Sequence, residues 1–132
     1  MNQQEIFDKV ATHLIAQGKQ SRAMLTHVLK LGAKPVAQGG AGCAYRGDGG
    51  TMCAAGCLIP DDEYKPEFEG IPWDCIAQEV PSFANAPQAV HDLIGSLQLV
   101  HDDVLSWSSP ETLKDALRVV ANHYDLSADM LC

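Results

Sequence analysis

Residues Gly42–Asp61, with the sequence GCAYRGDGGTMCAAGCLIPD, contain three of the five cysteines of the chain and a Gly-Asp-Gly-Gly turn signal. The concentration of small residues indicates a place where another part of the chain approaches closely. Cys43–Arg46 and Thr51–Ala54 are typical of two short strands, and Gly47–Gly50 supplies the residues that a tight turn needs. Because an isolated hairpin is marginally stable, we expect this hairpin, Cys43 to Ala54, to lie on helices.

The segment before this stretch has the hydrophobic periodicity of helices. Apolar residues recur at helical spacing from Ile6 onward, and Gly18 is a suitable stop. A second helix is predicted to start near Ser21 and to end at Gly32. The small residues that follow it, 36–42, are expected to form a loop.

The segment after the stretch contains the longest helical pattern of the chain. A helix is predicted from about Pro87 to Leu105, with Val104 and Leu105 on its apolar face. His101 lies on the same face and is interpreted as a core histidine with its hydrogen bonds satisfied. Ser109 is predicted to be the N-cap of a closing helix.

Length and composition indicate one globular domain over residues 1–132. The chain has 132 residues, of which 46% are hydrophobic, and this suits a single core. The helical patterns and the hairpin together predict an α+β fold, dominated by four or five helices with one short β-hairpin.

The charge of the chain restricts the kinds of partner. A net charge of −8 argues against direct binding to nucleic acid and to an anionic membrane surface, because both need clustered basic residues. No signal peptide or long apolar run is present, so the protein is predicted to be cytoplasmic. In that compartment the cysteines are expected to be reduced.

The cysteines allow two interpretations. Cys43, Cys53, Cys57 and Cys75 are predicted to be mostly buried and metal-free, because the paired knuckles of a zinc site are missing. The alternative is a small cysteine-dependent enzyme or nucleotide-binding protein centred on Arg46, Cys53 and Cys57. No cofactor is predicted, because the glycines do not fit a phosphate-binding motif.

Residues 61–79 combine acidic and aromatic side chains. They carry seven acidic residues against one lysine, a local net charge of −6. Aromatic anchors among carboxylates are typical of protein interfaces, so this segment is the predicted site for a protein partner, one with a basic surface. The alternative is that the rings cover the core like a strap and leave the acids solvated. The predicted partner-binding residues are Asp61, Asp62, Glu63, Tyr64, Phe68 and Trp73.

Three short motifs link these two regions: CAYRG at Cys43–Gly47, CAAGCLIPDDEY at Cys53–Tyr64, and Glu69–Gly70. In this pattern the chain resembles small uncharacterised proteins of tailed phages and prophages. The resemblance implies an accessory protein that acts in a bacterial host cytoplasm and binds or inhibits a host protein. It assigns no role to any residue. The sequence therefore predicts a non-enzymatic acidic binding protein.

Overall fold

The computed structural model describes residues 1–24 and 41–131. Four α-helices lie in these ranges: α1 at Gln3–Gln17, α2 at Trp73–Ile76, α3 at Gln88–Asp102 and α4 at Pro110–His123. Short 3-10 helices lie between and after them, at Asp48–Gly50, Gly56–Leu58, Pro66–Phe68, Ala77–Glu79, Val104–Trp107 and Asp129–Leu131. Two short strands, β1 at Arg22–Met24 and β2 at Ala41–Cys43, form an antiparallel pair with Ala23 opposite Gly42.

The three long helices share one hydrophobic core. α1, α3 and α4 contact one another pairwise, and the buried residues of the described ranges form a single cluster from Ile6 to Leu131. The predicted N-terminal helix, long helix and closing helix are confirmed as elements. The buried face of α1 follows the helical period predicted from the sequence, with Ile6, Phe7, Val10, Ala11 and Leu14.

Local capping explains where α1 begins and ends and where α4 begins. The Asn2 side chain accepts the backbone N–H of Glu5 at 2.8 Å, and the Glu5 carboxylate accepts the N–H of Asn2 at 3.0 Å, which is a capping box. Gly18 ends α1 in the left-handed conformation, with φ of 70°. Ser109 caps α4 as predicted, since its hydroxyl accepts the N–H of Thr112 at 3.1 Å.

The first turn of α1 is fastened to the C-terminal segment. The Gln4 side-chain amide donates to the carbonyl of Ser127 at 3.0 Å, and its oxygen accepts the N–H of Ser127 at 2.8 Å. The neighbouring Gln3 donates to the carbonyl of Ala89 in α3 at 3.0 Å. Side-chain hydrogen bonds therefore join residues that are 123 positions apart in the sequence.

The predicted hairpin between Cys43 and Ala54 is wrong. Three of its N–H groups bond to side chains outside the stretch: those of Tyr45 and Arg46 donate to the Glu69 carboxylate, and that of Met52 donates to Gln17 of α1. These acceptors replace the cross-strand bonds that a hairpin would need. The glycines form a 3-10 turn, as the sequence signal for a tight turn indicated, but no second strand follows it within the described residues.

The α+β assignment is wrong for the same reason. The described part of the chain is dominated by helix, and the three-residue pair of β1 and β2 is too small to form a layer of its own. The helix predicted to start near Ser21 is also contradicted at its start, because Arg22–Met24 are extended. The rest of that helix, and the predicted loop up to residue 40, lie outside the described residues.

The C-terminal end of α3 differs from its prediction. The helix ends at Asp102, because Asp103 has an extended backbone and its carboxylate accepts the N–H of Leu105 at 2.9 Å. Val104 and Leu105 were predicted to be buried, but both are exposed. His101 is completely buried, as expected of a core histidine. In the two described ranges, none of the helices has both the length and the hydrophobicity that crossing a bilayer requires.

The close approach indicated by the small residues occurs at Gly56. A Cβ atom added at this position would collide with the backbone of Tyr45, which cannot move without disturbing its neighbours. Ala54 and Ala55, just before it, are completely buried. The turn around Gly56 thus packs directly against the segment that contains Tyr45.

We expect Gly56→Ala to lower the free energy of unfolding by about 1–3 kcal/mol, because the added methyl overpacks a backbone contact. Gly95→Ala is the matched control, since Gly95 lies inside α3 with open space around its Cα. That change should stabilise the protein by about 0.5–1 kcal/mol through helix propensity. Urea denaturation of both variants measures the two effects. If the two variants changed the free energy of unfolding in the same direction and by the same amount, the close contact at Gly56 would be contradicted.

Candidate functional site

Two of the three aromatic residues that were predicted to bind a partner in residues 61–79 lie in the core. Phe68 and Trp73 are each 2% exposed. The indole N–H of Trp73 donates to Nδ1 of His91 at 3.2 Å, and its ring packs edge-on against Phe83 at 5.6 Å between centroids. A core ring of this size contributes about 3–5 kcal/mol relative to alanine. Their burial favours the alternative in which the rings cover the core, and contact with a partner would require them to leave it.

The carboxylate of Glu69 organises the surroundings of these rings. Glu69 is 4% exposed and accepts the backbone N–H groups of Tyr45 at 2.9 Å and Arg46 at 3.1 Å. It also accepts the hydroxyl of Tyr64 at 2.5 Å. Burial, together with this hydrogen bond, raises the pKa of Tyr64. Sequence reasoning placed Glu69 among the solvated acids and missed this role.

Arg46 is held by protein groups on several sides. Its guanidinium donates to the carbonyl of Ile59 at 2.7 Å and pairs with Asp61 at 3.0 Å. It also lies over the ring of Tyr64, 5.1 Å from the centroid, and contacts the sulfur of Met52. Because a carboxylate already compensates its charge, this arrangement counts against the phosphate-binding alternative.

The residues of the three motifs therefore meet in one place. Tyr45 and Arg46 come from the first motif, Ile59, Asp61 and Tyr64 from the second, and Glu69 from the third. The hydrogen bonds and the ion pair among these residues give the three motifs a structural role, because together they hold one polar cluster against the core. The sequence signal for this cluster was the presence of acidic residues and tyrosines in the motifs. Their spacing alone does not show which of the acidic residues points inward.

Most carboxylates of residues 61–79 face solvent. Asp61 pairs with Arg46, yet its side chain is 96% exposed. Glu63 is half-buried and accepts the N–H and the hydroxyl of Ser82 at 2.7 and 2.6 Å. The exposed acidic residues are Asp61, Asp62, Glu67, Asp74 and Glu79. Together they form an acidic surface on a segment whose rings anchor it to the core.

The cysteines differ in exposure. Cys53 is buried, Cys43 and Cys57 are half-buried, and Cys75 is exposed, so the expectation that these cysteines are mostly buried fails at Cys75. Burial raises the pKa of Cys53, and it raises that of Cys57 to about 12 although Lys9 and Arg46 act in the opposite direction. Raised pKa values oppose nucleophilic catalysis, because the thiolate is the reactive form.

Cys43, His101 and Asp102 form the group of possible metal ligands in the described ranges. Their ligand atoms lie within 4.8 Å of one another. However, Nε2 of His101 faces the backbone N–H of Ser21 at 2.8 Å and must accept it. The imidazole proton then lies on Nδ1, which donates to Asp102 at 2.9 Å. A metal on Nδ1 would force two N–H groups together at Ser21, so the geometry favours a hydrogen-bond network.

The Asp102 carboxylate is the centre of this network. Burial raises its pKa, but the hydrogen bonds from His101, Cys43 and Gln98 outweigh burial and hold the pKa below its ordinary value of 3.8. Gln98 also accepts the N–H of Ala55 at 3.0 Å through its side-chain oxygen. The network thus joins α3 to the end of β2 at Cys43 and to the turn at Ala55.

Comparison of the chain with models of protein families, with curated proteins and with solved structures finds no significant match in any of the three. The functional argument therefore depends on the residues and contacts described above.

The thiols should react at different rates. With a pKa of about 12, Cys43 and Cys57 are thiolate at only about one part in ten thousand at pH 8. Among the four cysteines that the structure describes, we expect iodoacetamide to alkylate exposed Cys75 first and buried Cys53 only after unfolding. Peptide mapping by mass spectrometry at several times measures the order, and labelling in denaturant is the control. If Cys53 or Cys57 reacted as fast as Cys75, the cysteine-dependent alternative would regain support.

Asp102 should contribute stability that depends on pH. Its folded pKa is lowered, so the stabilisation is present above pH 3.8 and is lost as the pH falls through the folded pKa. Asp102→Asn should therefore be less stable than the wild type at pH 7, and the two should converge at low pH. Urea denaturation across this range measures the difference. Asp92→Asn is the control, because Asp92 lies on the same helix and accepts a hydrogen bond from Gln88. If the difference in stability between Asp102→Asn and the wild type stayed constant down to low pH, the network would be contradicted.

Proposed function

We propose that this protein is a non-enzymatic binding protein that attracts a protein partner with a basic surface through the exposed carboxylates of residues 61–79. The observation that supports this proposal most directly is the placement of five exposed acids on a segment held by buried rings. Because Phe68 and Trp73 fix the backbone, the charges occupy defined positions. A fixed set of like charges speeds association with an oppositely charged partner.

The contacts of the cysteines and of Arg46 support this function over the alternative. The thiols of Cys53 and Cys57 have raised pKa values, and Arg46 is already paired with Asp61. A cysteine-dependent enzyme needs an accessible thiolate, and a nucleotide site needs uncompensated positive charge. A small cysteine-dependent or nucleotide-binding protein therefore stays the second candidate.

The setting of this function is also a proposal. The resemblance to proteins of tailed phages and prophages favours an accessory protein in a bacterial cytoplasm, with a host protein as the partner. The net charge of −8 favours a protein partner over direct contact with a nucleic-acid backbone. A basic partner could itself be a protein that binds nucleic acid.

The test removes charge without disturbing the fold. Asp62→Asn, Glu67→Gln and Asp74→Asn are combined, since these three exposed carboxylates have no hydrogen bond or ion pair within the described residues. Glu63 is left in place because it holds Ser82. We expect the triple variant to associate with its partner several-fold more slowly at low salt, and the difference to shrink above about 0.3 M salt through screening.

The measurement has two stages. Tagged protein first captures a partner from bacterial lysate at low and moderate salt, and association rates are then measured with the purified partner. The control variant combines Asp92→Asn, Glu111→Gln and Asp129→Asn, which removes the same charge from other exposed positions. Equal slowing by both variants would indicate net charge alone, and no slowing by the first would contradict the proposal. A nucleotide that raises the melting temperature in a thermal-shift screen would favour the second candidate.

A further inference from the structure

The turn at the C-terminal end of α3 presents a cluster of apolar side chains to solvent. Leu99, Val104 and Leu105 are 72%, 61% and 68% exposed. The other large exposed apolar residues of the described ranges, Met1, Ile71 and Val119, are spread along the chain. Single exposed apolar residues are ordinary, whereas three within seven positions form a local patch.

These side chains face outward because the backbone beneath them is fixed. The carbonyl of His101 accepts the side-chain amide of Gln20 at 3.0 Å and the indole N–H of Trp107 at 2.9 Å. Gln20 also donates to the carbonyl of Asp102 at 3.1 Å. His101 and Ser106, which lie next to the exposed residues in the sequence, are buried and point into the core. A patch that is already ordered loses little conformational entropy when it binds.

The charge around the patch is negative. Asp102 and Asp103, which directly follow the buried His101 in the sequence, are both exposed beside it. The sequence contains no lysine or arginine between Lys65 and Lys114. An apolar contact with two exposed carboxylates at its edge complements a segment that combines apolar and basic side chains.

We infer that the 99–105 face, formed by Leu99, Val104 and Leu105 with the carboxylates of Asp102 and Asp103, docks a basic amphipathic helix of the partner protein. This inference rests on the proposed function. The acidic surface of residues 61–79 attracts the partner, but Phe68 and Trp73 are buried there and Ile71 is the one large apolar side chain that this segment exposes. The 99–105 face supplies that contact: apolar side chains of the helix cover the two leucines and the valine, and its lysines or arginines meet the carboxylates.

The first experiment uses a synthetic helical peptide of leucine and lysine, about 18 residues or five turns long, as the probe. A second peptide of equal charge has serine in place of leucine. Fluorescence anisotropy of the labelled peptides measures affinity, and amide chemical shifts of the protein locate the contact. We expect the leucine-containing peptide to bind more tightly and to shift the amides of residues 99–105. Equal binding of the two peptides, or no binding of the first, would overturn the inference.

Variants then test the face itself. Leu99→Ser combined with Leu105→Ser should weaken binding of the leucine-containing peptide about tenfold or more, because two apolar contacts are lost. Val119→Ser, an exposed change on α4, should leave affinity unchanged. Asp103→Asn keeps a side-chain oxygen for the N–H of Leu105 and should weaken binding about twofold at low salt only.

Other occupants of the face give distinct results, and each would overturn the inference. If the double serine variant melted at a lower temperature but bound the peptide normally when folded, another part of this chain would cover the face. If the wild type sedimented as a dimer and the variant as a monomer, a second copy would cover it. Unchanged peptide affinity of the variant would remove the face while leaving the proposed function standing, because that function is tested separately by the Asp62, Glu67 and Asp74 changes.

Discussion

The buried carboxylate of Glu69 is the interaction on which the middle of this protein depends. A carboxylate out of water is costly unless hydrogen bonds replace its hydration, and Glu69 receives them from the N–H groups of Tyr45 and Arg46 and from the hydroxyl of Tyr64. These bonds take the donors that a β-hairpin would have used. They also place Arg46 over Tyr64 and next to Asp61, so one inward-facing acid determines the path of the chain on both sides of it.

Three polar side chains of α3, those of Gln98, His101 and Asp102, have a corresponding role for other parts of the chain. Gln98 holds the backbone at Ala55, while His101 accepts the N–H of Ser21. Asp102 joins His101, Gln98 and Cys43 through one carboxylate. Irregular backbone is rare in a protein interior because its polar groups need partners. In this protein Glu69, Gln17 of α1 and Gln98 of α3 supply side-chain acceptors, which allows residues 44–57 to pack closely with little regular secondary structure.

The sequence predicted those features that depend on local signals. Helical periodicity located α1, and the Ser109 cap located the start of α4, because both effects act within one or two turns. The hairpin prediction failed because Glu69, 24 residues from Tyr45, competes for the backbone donors, and no local pattern reveals a distant acceptor. The exposed acids of residues 61–79 were predicted from composition, but the inward turn of Glu69 was not. Exposure of Val104 and Leu105 was missed because the periodicity was extended past a helix end that Asp103 sets.

The bonds between Gln4 and Ser127 have a consequence for the synthesis of this protein. α1 is made before α3 and α4, the two long helices that pack against its apolar face. At about 5–20 residues per second, a ribosome needs roughly 6–25 seconds to travel from one of these residues to the other. For much of that interval α1 lacks the packing of α3 and α4, so a nascent chain of this protein offers molecular chaperones a partly uncovered apolar helix before the fold can close.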